Sequence, residues 1–376
     1  MKRIARLLGF LPALFAVSSL AVAPVAASTI HVPADQPTIQ AGIDAATTGD
    51  IVLVAPGIYS GPGNRNLNYH GKSIELSSEL GAEATIIDCL GSLSDPARGV
   101  NFDSGETPSA ILDGFTIRNG WRGDDFGRGG AVTVSSPSNP TIRNCTFEHC
   151  LATRGGGIWA QDATITNCRL VNNTAFDGGG AGFCSATFVR CAFVGNRASK
   201  GAAAGSECSG TVTFIDCTFD SNTADWGSGV KSEEGSIVIR GCSFYGNSCK
   251  FGGAGVSILL GLPLILERTI IAFSLQGPAV SCEFDAGASV TCCDVFGNAG
   301  GDWVGCLSGR LGTNGNISQD PLFCDAAHGD LSLEHGSPCA PENSPQGCLL
   351  IGAFDVGCGP TPVEPVTWGQ IKGIYR

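Results

Sequence analysis

One unit recurs along the middle of this chain: a short apolar run, a Cys-x-Phe-x-x-Asn motif, then a glycine-rich stretch. It reads CTFEHC from Cys145, CRLVNN from Cys168, CAFVGN from Cys191, CTFDSN from Cys217 and CSFYGN from Cys242. A degenerate copy, TIIAFS, starts at Thr269, and CDVFGN starts at Cys293. Successive starts lie 23, 23, 26, 25, 27 and 24 residues apart. A period in this range marks a solenoid, in which each repeat buries its apolar face only by stacking on its neighbours.

With the Cys as position 0, position −3 holds Ile142, Ile165, Phe188, Phe214, Ile239, Leu266 and Val290. Position +2 holds Phe147, Leu170, Phe193, Phe219, Phe244, Ile271 and Val295. Apolar alternation by two within each short run predicts a strand with one face inward. The parity shifts by one residue between −3 and the Cys, so a bend separates two strands there. About ten residues after each Cys, a glycine run leads into an apolar residue, as in Gly155-Gly156-Gly157-Ile158. That predicts a third strand entered through a corner where glycine is needed. Three short strands per repeat make one coil of an all-β, parallel β-helix. The +5 residues Asn173, Asn196, Asn222, Asn247 and Asn298 are expected at a left-handed corner, stacked into a hydrogen-bonded ladder. The leucine-rich repeat has a similar period, but its L-x-x-L-x-L pattern is missing.

Residues 1–27 read as a secretory signal peptide: Lys2, Arg3 and Arg6, then an apolar run from Leu7 to Val22, then Val25-Ala26-Ala27 before a cut. The competing reading is an uncleaved anchor. The formal charge of −12 becomes −15 once those three basic residues leave. So acidic a chain has no footprint for nucleic acid or an anionic membrane. We expect a secreted or surface-exposed monomer with no transmembrane segment after signal removal.

Eighteen cysteines in a secreted chain imply disulfides. The repeated Cys145, Cys168, Cys191, Cys217 and Cys242 read as small inward packing residues. Cys184 and Cys208 precede their repeat Cys by seven and nine residues on adjacent coils, and are expected to bridge them. Cys282, Cys292, Cys306, Cys324, Cys339, Cys348 and Cys358 crowd the C-terminal third. Ribbon-type C-x-x-C pairs are missing, so no metal site is expected.

Both ends of a solenoid must be covered. The stretch Thr29–Gly61 predicts a cap: a strand at Ile30 and Val32, then a short helix from Pro37-Thr38 with Ile39, Ile43 and Ala46 on one face. The domain reading is a β-helix with its N-terminal cap over 28–310, a Cys-rich C-terminal cap over 311–359, and a Pro-rich linker and short tail over 360–376. Cys324, Cys339, Cys348 and Cys358 are expected to pin the C-terminal cap. The tail, with Trp368, Ile371 and Tyr375, reads either as a sorting element or as an end without a role of its own.

The opening VPADQPTIQAGIDAATTGDIVLVAPGIYSG resembles the N-terminal segment of right-handed parallel β-helix proteins of the pectin-lyase-like superfamily. Pectin methylesterases carry a similar start. The F-x-x-N and G-G-x-I alternation resembles repeats of polymorphic outer-membrane proteins. The closing DPLF…SPC…IGA is similar to the last segment of many secreted bacterial β-helix proteins. The resemblance spans about residues 29–300 and implies the fold. It does not select an activity, because the superfamily holds lyases, hydrolases, esterases, adhesins and plain structural domains.

The motifs that would select one are missing. No Q-D-T-L or D-F-I-F-G follows the opening, as a pectin methylesterase requires. No G-H-G appears, as a polygalacturonase requires. A pectate lyase would bring calcium, held by grouped carboxylates, and an Arg as base. The candidate carboxylates Asp124, Asp125, Asp177, Asp225, Glu233 and Glu234 form no pair on adjacent coils. No residue is therefore assigned as catalytic, and no cofactor is expected unless the protein is lyase-like. The best binding candidate is the loop NGWRGDDFGRGG, with Trp121, Arg122, Asp124, Asp125, Phe126 and Arg128. Aromatic and charged side chains in a loop on a rigid scaffold suit a polysaccharide or cell-surface glycan. The bland alternative is a solvated loop whose charges pair locally. The leading expectation is a non-catalytic adhesion or carbohydrate-binding module. The alternative is a polysaccharide-degrading enzyme, either pectate-lyase-like or a glycoside hydrolase.

Overall fold

The computed structural model describes residues 27–124, 127–206, 208–260, 263–283 and 287–358. The expected leader therefore lies outside the described residues except for position 27, as does the tail beyond Cys358. The described chain winds into a parallel β-helix. Strands ending two residues before each Cys stack into one sheet of eleven, those at +1 to +3 into a sheet of ten, and those after the glycines into a sheet of nine. All pairings in these sheets are parallel and in register, as in Ile142↔Ile165 and Phe193↔Phe219.

The middle coils also carry a fourth short strand, from +6 to +9, as in Thr174–Asp177 and Arg197–Lys200. Six such strands form a sheet of their own. The apolar alternation missed it because its inward +7 residue is small: Ala152, Ala175, Ala198 and Ala224, then Cys249.

The parity shift before each Cys has a backbone cause. Residue −1 is left-handed in every repeat: Asn144, Asn167, Arg190, Asp216, Gly241, Arg268 and Cys292 have φ between 48° and 60°. One left-handed residue turns the chain between two strands and flips the side-chain alternation. A second corner follows at +4, at His149, Asn172, Gly195, Ser221, Gly246, Phe273 and Gly297. The left-handed residue is thus at +4 and not at the +5 Asn, which turns inward instead.

There the +5 side chains do form a ladder. Asn173 N–H donates to Asn196 Oδ1, Asn196 N–H to Asn222 Oδ1, and Asn222 N–H to Asn247 Oδ1, each at 3.0 Å. Each Nδ2 in turn donates to the carbonyl of the +2 residue one coil back, as Asn196 does to Leu170 at 2.8 Å. The buried amides are satisfied, which keeps their burial from being costly. The repeat cysteines do similar work at the other corner: Cys145, Cys191 and Cys217 donate N–H groups to the sulfurs of Cys168, Cys217 and Cys242. They are free thiols and buried, as expected of packing residues.

The +2 residues Phe147, Leu170, Phe193, Phe219 and Phe244 are buried in one stack. Phe193, Phe219 and Phe244 lie parallel, with ring centroids 4.9 and 4.2 Å apart. At the N-terminal end the helix is Ile39–Ala45. Thr38 caps it by accepting Ala41 N–H, and Ile39 and Ile43 are buried against the first coil.

Four disulfides are present: Cys184–Cys208, Cys282–Cys306, Cys292–Cys348 and Cys324–Cys358. Cys339 does not pair, contrary to expectation. Its sulfur is buried in the seam between the last coil and the C-terminal cap. It donates to Asp294 Oδ2 at 3.2 Å, while Cys348 meets Cys292 at a coil corner.

Candidate ligand-binding groove

The +9 residue ends each short strand. It shares a side of the strand with the small +7 residue and leans over the outer side of the post-glycine sheet. Backbone pairing sets six such residues in one row: Arg128, Arg154, Asp177, Lys200, Trp226 and Phe251. At ~4.8 Å per coil the row is about 24 Å long. Facing it, the outward middle residues of the post-glycine strands form a second row: Thr133, Trp159, Gly182, Gly205, Lys231 and Ser257. Thr133, Trp159, Lys231 and Ser257 are buried although they point away from the core, because the first row covers them.

The contacts between the rows show how close they are. The Arg128 guanidinium lies 4.7 Å from the centre of the Trp159 ring. Gly182 must be glycine, since a Cβ there would stand 2.7 Å from the same ring. Gly205 leaves room for the Asp177 carboxylate in the same way. Further along, Glu233 accepts from Lys231 and, at 3.0 Å, from Lys200. Burial opposes ionisation of Glu233, but the hydrogen bonds from Lys231 and Lys200 outweigh it and hold its pKa below the ordinary value.

Beyond Lys200 the angle opens into a cleft of about 360 Å³, lined by Lys200, Trp226, Lys231, Glu233, Leu259 and Glu283 among others. Trp226 is 42% exposed and Phe251 45%, with ring centroids 5.0 Å apart. Lys250 Nζ sits 4.9 Å from the centre of the Phe251 ring. Glu233 and Glu283 follow strands two coils apart, so their backbones are about 10 Å apart.

The six loop residues are not one cluster. Trp121 and Arg122 are the first, half-buried strand of the short sheet. Arg122 pairs with Asp124 at 3.3 Å, the local charge pairing of the bland alternative. Arg128 belongs to the groove. Asp125 and Phe126 lie outside the described residues. Beside Trp121, Arg98 is buried and makes no side-chain hydrogen bond among the described residues. Burial, then nearby Arg122, lowers its pKa to about 10. Of the other candidate carboxylates, Asp225 at +8 and Glu234 are exposed. Asp177 and Glu233 join the groove.

The sequence reading gives no role to Arg154, Lys200, Lys231, Phe251 or Glu283. The +9 register alone would have found Arg154, Lys200 and Phe251. Among the described residues no three His, Cys, Asp or Glu side chains converge as a metal site, and no helix is long and apolar enough to cross a membrane.

The family described as "Right handed beta helix region" matches residues 58–198. Among solved structures, the crystal structure of pectate lyase Pel9A is similar over 89% of this chain and 97% of that one, with a TM-score of 0.50 and 13% identity. No curated protein matches the sequence. Fold and comparisons together define the class: a right-handed parallel β-helix with the pectin-lyase-like architecture.

Proposed function

We propose that this is an extracellular β-helix protein that binds a polysaccharide along the groove and does not cleave it. The observation that carries this is the row Arg128, Arg154, Asp177, Lys200, Trp226, Phe251, which sets charged groups and exposed aromatic rings in line on one rigid face. Aromatic faces stack on sugar rings, and charged side chains meet hydroxyl and acidic substituents. The four disulfides support an oxidising compartment.

Hydrolysis needs a carboxylic acid kept protonated to serve the leaving group. Of the two carboxylates that line this cleft, Glu233 is instead held ionised by two lysines. A calcium-dependent lyase needs grouped oxygen ligands, and the described carboxylates do not converge.

A glycan array, run beside reducing-sugar and unsaturated-product assays, tests the reading. We expect binding that Trp226→Ala weakens about tenfold or more, with no product in either assay. Calcium-dependent release of unsaturated product, lost on Asp124→Ala or Asp125→Ala, would replace it with the enzyme reading.

A further inference from the structure

A second cleft, of about 450 Å³, lies on a different face, where the C-terminal cap folds back across the post-cysteine sheet. The cap is held there by Gly352 N–H donating to the Arg268 carbonyl at 2.9 Å and Ala353 N–H donating to Ser243 Oγ at 3.0 Å. The floor is Ala192 and Val194, and Leu331 and Phe354 stand on the cap side. Arg169 and Asp220 also line the cleft.

Arg169 is at +1 of its coil, and Asp220 at +3 two coils further on, in register through Ala192 and Val194. Two coils across and two residues along set their backbones about 12 Å apart. Neither makes an ion pair among the described residues. Among the described residues Asp220 accepts only from the neighbouring Ser221 hydroxyl, at 2.7 Å.

We propose that this cleft binds the zwitterion of an apolar α-amino acid. The carboxylate sits on the Arg169 guanidinium, whose planar fork matches it. The ammonium sits on Asp220. The apolar side chain lies against Ala192, Val194 and Phe354. One cleft in which an Arg and an Asp not paired to each other stand over Ala192 and Val194, with Phe354 opposite, fits a ligand carrying both charges on one carbon and an apolar side chain beside them. Burial raises the pKa of Asp220, with the Ser221 hydrogen bond opposing, and a bound ammonium supplies the missing counter-charge.

The test is calorimetric titration of the full chain with L-alanine, L-valine, L-leucine and L-phenylalanine, each carried into the millimolar range. We expect at least one to bind. Arg169→Gln and Asp220→Asn should each weaken the best binder about tenfold or more, with the melting temperature unchanged. The matching alkylamine and carboxylic acid, each lacking one charge, should bind at least as much more weakly. Trp226→Ala should leave amino-acid binding intact, so failure here is separable from failure of the glycan reading. Absence of heat with all four amino acids overturns the proposal. So does equal binding of a singly charged analogue, or full binding by both folded variants.

Discussion

Asn196 Oδ1 accepts the backbone N–H of Asn173 at 3.0 Å, and Asn196 Nδ2 donates to the Leu170 carbonyl at 2.8 Å. One buried side chain thus closes backbone groups of the coil behind it, and Asn222 does the same for Asn196 at 3.0 Å. Removing the amide strands a buried N–H and a buried carbonyl, and each orphan costs about 1–3 kcal/mol. We expect Asn196→Ala to lower stability by ~2–4 kcal/mol, read as a shift of the urea midpoint. Asn172→Ala, at the neighbouring left-handed corner, acts only through backbone strain and should cost about 1 kcal/mol. Equal effects of the two would remove the ladder from the list of what holds the coils together.

Phe193 lies between Leu170 and Phe219 in the buried stack, its ring 4.9 Å from that of Phe219. Phe193→Ala should destabilise by about 3–5 kcal/mol. Phe193→Asp buries an unpaired charge and should unfold several coils. Far-ultraviolet circular dichroism and limited proteolysis read the difference. A soluble, protease-resistant Phe193→Asp protein would contradict the inward stack.

Much of this was legible because a solenoid repeats its physics. Phe at +2 and the apolar −3 residues appear once per coil, so the two strands flanking each Cys and the third after the glycines could be written from spacing. The strand at +6 to +9 was hidden because Ala175 and Ala198 carry little apolar signal and Arg197 and Lys200 read as loop. The groove was hidden for the same reason. Arg128, Arg154, Asp177, Lys200, Trp226 and Phe251 mix cations, a carboxylate and aromatic rings, and only the coil register aligns them. Asn172 and Asn173 illustrate a finer limit. Both suit a left-handed corner by type, and packing decides that Asn172 turns and Asn173 is buried. Cys339 was misassigned because cysteine spacing does not show which thiol meets another and which meets a carboxylate.

Peptide mapping without reduction should return Cys184–Cys208, Cys282–Cys306, Cys292–Cys348 and Cys324–Cys358. Cys145, Cys168, Cys191, Cys217, Cys242 and Cys339 should be alkylated only after unfolding, since each is buried. Finding the repeat cysteines joined to one another would break the division between packing and bridging thiols.

The seam under the C-terminal cap should make stability depend on pH. Asp294 is fully buried at the last coil, with Oδ1 accepting Gln319 N–H at 3.1 Å and Oδ2 facing the Cys339 thiol at 3.2 Å. Burial first, and then the charges of Asp302 and Asp320, raises its pKa to about 7, against the opposing hydrogen bonds from Gln319 and Cys339. In the unfolded chain the same carboxyl titrates near 4. Between these values the folded protein holds a proton that the unfolded chain has lost. The contribution of Asp294 to stability is therefore full below about pH 4, falls as pH rises towards about 7 and is flat above. The total loss is on the order of 2–4 kcal/mol. Asp294→Asn keeps the shape and removes the titration. Urea midpoints at acidic, near-neutral and mildly alkaline pH should show the wild-type protein losing stability relative to Asp294→Asn as pH rises through that window. Parallel curves for the two proteins would show that Asp294 carries no such linkage.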